Sequence, residues 1–322
     1  METHDNAQKR REYNISIFDE TWRFSKHHKD LETQVRESIM KTEIIREKSQ
    51  YVVQKTWKSG DELPAGKITI SSMRTLEAAR SIWNKIGNTS VKRIGVLNFA
   101  SATTVGGGVR KGASAQEESL CRISTLYRCL DTTTIQKNYY DVNRACGSRL
   151  YENICVYTPD IIVFRNDDKK MDILPEDEWY YVDVFTCPAP NLRTESYNRF
   201  NEYDIQKPIN ISKDELYSVW DKRIGLLLNT AVAKGITHLV LGAWGCGAFR
   251  NPPEMVARIF KKHIFPFGFN NIGLCGCFDE VHFAIPQSKY DTNHDTFKQI
   301  LLDGVDGRTV DDVGIVNELR WF

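Results

Sequence analysis

Three consecutive glycines, Gly106–Gly108, are followed after seven residues by the triplet Gln116–Glu118, and this spacing is the clearest sign of chemistry in the chain. Glycines let backbone N–H groups approach a bulky anion closely, because no side chain stands in the way. Glu117 and Glu118, which open the next predicted helix, offer acid–base chemistry beside that anion. The pattern predicts a phosphate-bearing substrate that is cleaved by a glutamate.

A second glycine-rich turn, residues 242–249, follows the short apolar segment Thr237–Leu241. Asn251, just after the turn, is an N-cap candidate, and a proline follows it at the expected first position of a helix. In open α/β sheets ligands gather beyond the carboxyl ends of strands, so we expect the two glycine loops to converge on one ligand. Two such loops suit a diphosphate; the alternative is that the glycines only form tight turns.

Known nucleotide-binding fingerprints do not account for the first loop. It lacks the Gly-Lys-Ser/Thr ending of a P-loop, and its contiguous glycines match the dinucleotide fingerprint poorly. Glu117 and Glu118 are adjacent on the predicted helix, about 100° apart around its axis, so we expect them to play different parts. The alternative is that both only complement the helix dipole, which contributes ~0.3–1 kcal/mol without any function.

Strand-like and helical patterns alternate along the chain and predict an α/β fold. The apolar run Ile94–Phe99 predicts a buried strand ahead of the first loop. Apolar residues at helical spacing predict a single helix behind it, over Leu120, Ile123, Tyr127 and Leu130. Further strands are predicted at Ile161–Arg165, Tyr180–Thr186, Thr237–Leu241 and Val281–Ile285.

The first part of the chain differs from the rest in its dense charge. Apolar residues there recur at near-helical spacing, at Leu31, Val35 and Ile39 and then at Ile44 and Ile45. We therefore expect residues 1–60 to form a helical N-terminal extension and residues 61–322 to form the catalytic domain.

Composition excludes several classes of function. The 322 residues include 43 basic and 42 acidic ones, and the net charge of +1 gives no global field for nucleic acid or an anionic membrane. The eight cysteines and seven histidines lack metal-ligand spacing, so we expect a metal-independent protein with reduced thiols. Without an apolar signal core, the start predicts an intracellular, cytoplasmic location, and a nuclear one stays open if the source is eukaryotic.

With these residues in place, the sequence resembles the bacterial-type poly(ADP-ribose) glycohydrolases, macrodomain proteins with a Gly-Gly-Gly, six-to-eight-residue, Gln-Glu-Glu signature. Gly106–Gly108 and Gln116–Glu118 carry the resemblance, together with Val96–Ala102 and Leu241–Phe249. It runs from about residue 50 to about residue 290, which leaves the first 50 residues outside it. The resemblance implies a macrodomain-like three-layer α/β/α fold with a mixed central sheet.

The resemblance also implies roles for individual residues. Glu118 would be the catalytic acid–base, and Glu117 would orient ribose hydroxyls. Asn98 would contact the ribose next to the scissile bond, both glycine loops would hold the diphosphate, and Phe249 would pack against a ribose or the adenosine. The implied ADP-ribose-binding residues are Asn98, Gly106, Gly107, Gly108, Gln116, Gly245, Cys246, Gly247, Ala248 and Phe249.

The implied activity is hydrolysis of the ribose–ribose O-glycosidic bonds of poly(ADP-ribose), which releases ADP-ribose without a cofactor. Its expected partners are poly(ADP-ribose) or ADP-ribosylated proteins, with no sequence-specific nucleic acid and no membrane. Two alternatives stay open on the same fold. One is removal of single ADP-ribose groups from protein side chains, and the other is a non-catalytic ADP-ribose-binding module.

Overall fold

The structure is a computed structural model, and it describes residues 4–47, 66–87, 91–194, 209–265, 274–303 and 315–316. These residues form two compact units. The first contains the chain up to Ile45, Asn98–Ala189 and the residues from Arg193. The second contains Arg46–Leu97, Pro190–Leu192 and the chain from Ile209.

Helices and strands alternate through most of the described residues. The helices are α1 (His4–His27), α2 (Lys29–Lys41), α3 (Thr75–Ile86), α4 (Gln116–Ile123), α5 (Leu126–Leu130), α6 (Thr133–Ile135), α7 (Asp141–Ala145), α8 (Lys213–Ala233), α9 (Pro253–Ile264) and α10 (Asn293–Leu302). The strands are β1 (Glu43–Arg46), β2 (Lys67–Ser71), β3 (Ile94–Ala100), β4 (Ile154–Val163), β5 (Tyr180–Pro188), β6 (His238–Leu241), β7 (Glu280–Ala284) and β8 (Ile315–Val316). Short 3₁₀ turns at Val109–Lys111, Glu176–Glu178 and Cys275–Cys277 and a π-helical turn at Gln136–Tyr140 complete the set.

Strands β1, β4 and β5 lie side by side in the first unit. β4 and β5 are antiparallel, with Val156 opposite Thr186 and Val163 opposite Tyr180. Their register shifts between Thr158 and Ile161. Both strands are almost wholly buried, which explains their long apolar runs.

The second unit holds a mainly parallel arrangement of strands. The first residues of β3 pair in parallel with β6, β6 pairs in parallel with β7, and β7 pairs in parallel with β2. β8 pairs with β2 in the antiparallel sense, so this part of the sheet is mixed. Parallel and antiparallel pairs thus occur together, as the predicted mixed sheet requires.

The N-terminal helices share a core with β4 in the first unit. Leu31 of α2 packs with Ile162 and Phe164, and Phe24 of α1 and Trp179 pack against this cluster. The rings of Phe24 and Phe164 lie 5.6 Å apart. Burial of such aromatic side chains stabilises a fold by several kcal/mol in total, on the order of 2 kcal/mol for each ring. Helices α1 and α2 are therefore integral to the first unit.

Two details of the predicted secondary structure are wrong. Ile44 and Ile45 lie in strand β1 and do not continue a helix. The single helix predicted after the first glycine loop ends at Ile123, because Ser124 is extended (φ −141°) and bridges to Val163 of β4. The Ser124 hydroxyl donates to the Leu120 carbonyl and accepts from the Leu126 amide, which diverts the backbone from the helix.

The predicted boundary between an extension and a catalytic domain, near residue 60, lies outside the described residues and stays a prediction. The other predicted strands and helices are present with end shifts of a few residues, and β4 is longer than predicted because it begins at Ile154. No helix among the described residues is long and apolar enough to cross a membrane.

Candidate active site

The triplet that opens α4 is joined to the preceding strand and loop by three hydrogen bonds. Gln116 Oε1 accepts from the Phe99 amide at 2.8 Å. Glu117 Oε2 accepts from the Ser101 amide at 2.6 Å, and Glu118 Oε1 accepts from the Gly108 amide at 2.8 Å. Each side chain of the triplet thus binds one backbone N–H, which fixes the helix start against the end of β3 and the glycine loop.

The two glutamates differ in the partners of their oxygens. Both oxygens of Glu117 are bonded, since Oε1 also accepts from Asn98 Nδ2 at 3.4 Å. Glu118 Oε2 is buried, and no described residue donates to it. The two carboxyls thus differ in their hydrogen bonding, and the predicted division of labour between them stays a prediction.

Asn98, at the end of β3, completes this buried cluster. Its side chain is fully buried and donates to Thr186 Oγ1 at 3.2 Å as well as to Glu117. Asn98 Oδ1 has no donor among the described residues. Because a buried carbonyl oxygen without a donor costs free energy, it marks a position where a hydroxyl group of a ligand would be favourable.

Burial and like charge act on Glu117. Loss of solvent is the larger cause and the neighbouring Glu118 carboxylate the second, and together they raise the pKa of Glu117 well above its ordinary value. Hydrogen bonds from Ser101 and Asn98 oppose this rise. Perturbed pKa values cluster at functional sites, which makes Glu117 a candidate functional residue.

Two amides of the first glycine loop are hydrogen-bonded within the protein. Gly106 and Gly107 have left-handed φ values of 60° and 57°. The Gly107 amide donates to the Thr104 carbonyl, and the Gly108 amide is the one bound to Glu118. These two N–H groups are thus engaged within the protein, and the predicted contact of Gly106–Gly108 with a diphosphate stays a prediction.

The second glycine loop lies in the second unit. Asn251, predicted as an N-cap, instead holds this loop: its side chain donates to the Gly245 and Pro190 carbonyls at 3.0 and 2.7 Å. It accepts from Trp220 Nε1 at 3.0 Å, and α9 begins at Pro253 with Pro252 as its N-cap. The buried side chain of Asn251 therefore holds the second glycine loop in place.

Residues Gly247, Ala248 and Phe249 form the outer part of the second loop. Gly247 and Ala248 are exposed and Phe249 is half-buried. Their amides donate to no other group within the described ranges. Three neighbouring free N–H groups are suited to an anion. Burial raises the pKa of the partly buried Cys246, so its thiol is a poor nucleophile.

The two loops belong to different units, and the predicted convergence of both on one ligand stays a prediction. Among the residues that the structure describes, no group of three or more histidine, cysteine, aspartate or glutamate side chains is placed to hold a metal ion.

The sequence did not predict a role for Arg122 or Thr186. Thr186 contacts Asn98 of the buried cluster, and Arg122 contacts the first glycine loop. A charged residue four positions after Glu118, on the apolar side of the helix, was the available signal for Arg122.

A family model and several solved structures are similar to this chain. The family model of the microbial-type PARG catalytic domain matches residues 15–166, which include β3, the first glycine loop and α4. The match begins well before residue 50, so the expectation that residues up to 50 lie outside the resemblance is wrong from residue 15 onward. No curated protein sequence matches this chain.

Solved structures of poly(ADP-ribose) glycohydrolases (PARG) from two bacteria are similar to most of the chain. The enzyme from Thermomonospora curvata is 28% identical with a TM-score of 0.73, and the match covers 89% of this chain and 98% of that one. The enzyme from Deinococcus radiodurans in complex with ADP-ribose is 29% identical with a TM-score of 0.65, covering 84% of this chain and 98% of that one. These similarities confirm the predicted α/β fold class and the predicted resemblance to bacterial poly(ADP-ribose) glycohydrolases.

Proposed function

We propose that the protein is a poly(ADP-ribose) glycohydrolase that cleaves ribose–ribose O-glycosidic bonds and releases ADP-ribose. The observation that carries this proposal is the state of Glu118. Its Oε1 is fixed by the Gly108 amide, and its buried Oε2 has no donor within the described residues. A carboxyl group held at one oxygen and open at the other is suited to pass a proton to a bound substrate.

The chemistry requires one proton donor and one base. Cleavage of the glycosidic bond passes through an oxocarbenium-like state, in which the departing oxygen takes a proton and water attacks the anomeric carbon. In our proposal Glu118 gives its proton to the departing ribose oxygen and then takes one from the attacking water. Glu117 and the open Oδ1 of Asn98 bind ribose hydroxyl groups and hold the sugar in place.

ADP-ribose is the proposed ligand of the second glycine loop as well. The related enzyme from Deinococcus radiodurans has been solved in complex with ADP-ribose, and one structure of the Thermomonospora curvata enzyme holds the inhibitor ADP-HPD. Here the free amides of Gly247, Ala248 and Phe249 supply donors for a phosphate group. The half-buried Phe249 ring supplies an apolar surface for a ribose or the adenosine.

The test compares polymer with mono-modified protein as substrates of the wild type and of Glu118→Gln. The amide oxygen of the substituted side chain can still accept from the Gly108 amide, but the side chain cannot transfer a proton. We expect the wild type to release ADP-ribose from polymer and the variant to be slower by about 100-fold or more, with ADP-ribose binding retained. The exposed Glu37→Gln on α2 is the matched control and should keep full activity.

The alternatives predict different results in the same experiment. Release of ADP-ribose from a mono-modified side chain, with none from polymer, would show the mono-ADP-ribosyl hydrolase. Binding of ADP-ribose without turnover of either substrate, in wild type and variant alike, would show the non-catalytic binding module.

We also propose an intracellular, cytoplasmic location. Cys155 and Cys187 lie opposite each other on β4 and β5, and both are free thiols. Two adjacent thiols that stay unpaired suit a reducing compartment. Fractionation of cells that express the protein tests this location.

A further inference from the structure

We infer that Arg122 is a positioning residue for Glu118, an inference that rests on the proposed function. Arg122 lies one turn after Glu118 on α4, so the two side chains project from the same side of the helix. Its side chain is almost completely buried, which is rare for an arginine and calls for specific partners.

A closed ring of contacts joins Arg122 to the carboxylate. The guanidinium donates to the Ala113 carbonyl. The Ala113 amide donates to the Gly108 carbonyl at 3.1 Å, and the Gly108 amide donates to Glu118 Oε1 at 2.8 Å. Because Glu118 and Arg122 belong to one helix, this ring fastens the glycine loop to α4 and sets where the Gly108 amide meets the carboxylate.

Helix α1 supports the same arrangement from the other side. Thr21 donates its hydroxyl to the Arg122 carbonyl at 2.6 Å. Asn14 donates its side-chain amide to the Gly112 carbonyl at 3.0 Å, next to Ala113. The loop segment Gly112–Ala113 is thus held between Asn14 of α1 and the Arg122 guanidinium of α4.

Charge adds a second contribution. No carboxylate lies within ion-pair distance of the Arg122 guanidinium in the described part of the chain, and Glu118 is the acidic group with the largest favourable charge interaction with it. Burial is the main cause that lowers the pKa of Arg122, and the Glu118 charge opposes it. The Glu118 charge therefore offsets part of the cost of burying the Arg122 cation.

The experiment measures kcat on polymer, Kd for ADP-ribose, thermal stability and hydrogen exchange of the Gly108 and Ala113 amides. For Arg122→Met we expect kcat to fall by about 10- to 100-fold, since small displacements of a reacting group are costly, with Kd within about 3-fold of wild type. Exchange of both amides should become faster. Arg122→Lys keeps a donor and the charge, so its kcat should lie between the two.

The matched control is Arg128→Met on α5. Arg128 anchors the N-terminal helices through the Ser25 carbonyl and Glu32, but it does not contact the glycine loop. We expect this variant to lose stability and, because it loosens α1 without touching the loop, to lose less kcat than Arg122→Met when folded. Should Arg122→Met be unfolded, Arg122→Lys and the amide exchange decide the question.

Two failures can be told apart. If the wild type releases ADP-ribose from polymer and both Arg122 variants keep its kcat, the inference is wrong and the proposed function stands. If the wild type itself is inactive on polymer, the proposed function is wrong, and unchanged exchange of the Gly108 and Ala113 amides would then overturn the inference as well.

Discussion

A Cβ atom at Gly107 would lie 2.6 Å from Oε1 of Glu118. It would also lie 3.0 Å from Glu117 Oε2, so a side chain here meets both carboxylates at once. These two carboxylate oxygens lie at the ends of flexible side chains, so they would move before the backbone does. The glycine therefore keeps open the space that the carboxyl pair occupies.

Gly107→Ala should consequently impair catalysis more than folding. The left-handed φ of 57° costs an alanine roughly 1–2 kcal/mol, and the displaced Glu118 loses its alignment with the Gly108 amide. We expect kcat on polymer to fall by on the order of 100-fold. Steady-state release of ADP-ribose and a thermal melt measure the two effects.

Gly147→Ala provides the matched control for this prediction. Gly147 has a similar φ of 63°, but nothing lies within 4 Å of its added Cβ. It should show the same backbone cost and full activity. Equal losses of kcat in both variants would mean that backbone strain, and not the carboxylate contact, explains the effect.

Glu117 predicts a dependence of stability on pH. Its pKa is raised by burial and by the Glu118 charge, so the folded state binds its proton more tightly than the unfolded state. The contribution of Glu117 to the free energy of unfolding is fully present below its unfolded pKa of about 4.5. This contribution is lost as pH rises toward the folded pKa. Glu117→Gln should remove that loss, so its stability relative to wild type should rise with pH.

Urea unfolding at pH 4, 5.5 and 7 tests this sign. The free energies of unfolding of wild type and Glu117→Gln should diverge over this range, with the variant gaining at each step. Parallel curves would show that Glu117 has the same proton affinity in both states.

Much of this site could be predicted from the sequence, for identifiable reasons. Gly106–Gly108 and the triplet after them are local patterns, and local patterns carry their own geometry. The sequence does not show which atoms form hydrogen bonds in the folded chain. The Gly108 amide donates to Glu118 because the chain reverses over the seven residues between the glycines and α4. From the spacing of these residues alone, the Gly108 amide is expected to be free to bind a phosphate.

The helix prediction failed for a related reason. The apolar spacing from Leu120 to Leu130 predicts burial correctly, because Leu120, Ile123, Tyr127 and Leu130 are all buried although they lie in two short helices. The break at Ser124 depends on a bridge to Val163, which lies 39 positions further along the chain and has no local signal. Likewise, the packing of α1 and α2 on β4 is a tertiary contact, and the highly charged N-terminal sequence gives no local sign of it.

Glu280 in the second unit predicts a loss of stability in acid. Its burial opposes ionisation, but the contacts with His282, Thr69 and Lys67 outweigh it and lower the pKa of Glu280 to about 2. Thr69 Oγ1 donates to Glu280 Oε1 at 2.6 Å, and Lys67 Nζ lies 3.8 Å away. A folded pKa below the unfolded one gives stability that is present above about pH 4.5 and lost as pH falls toward 2.

The contribution is on the order of 3 kcal/mol at neutral pH by linkage. Glu280→Gln should therefore be less stable than wild type at pH 7, and the difference should shrink between pH 5 and pH 2. Chemical unfolding across this range checks it. A constant difference at all pH values would assign the loss to packing and not to the charge.

Gly112 tests whether α1 belongs to the catalytic unit. Its φ is 73°, and an added Cβ would lie 2.5 Å from the Arg11 carbonyl oxygen and 2.9 Å from the Arg11 Cα. Unlike the carboxylates beside Gly107, these are backbone atoms of a helix, and they can move only if the helix moves. Gly112→Ala should thus displace α1 from the loop and cost about 1–3 kcal/mol beyond the strain itself.

The measured quantities are the free energy of unfolding and the kcat on polymer, again with Gly147→Ala as the control for backbone strain alone. Because Asn14 of α1 also binds the Gly112 carbonyl, a displaced helix would release the loop that carries the Gly108 amide. We expect Gly112→Ala to lower both quantities relative to the control. If its stability and kcat equal those of Gly147→Ala, the contact of α1 with the glycine loop is not required for stability or for activity, and the prediction is wrong.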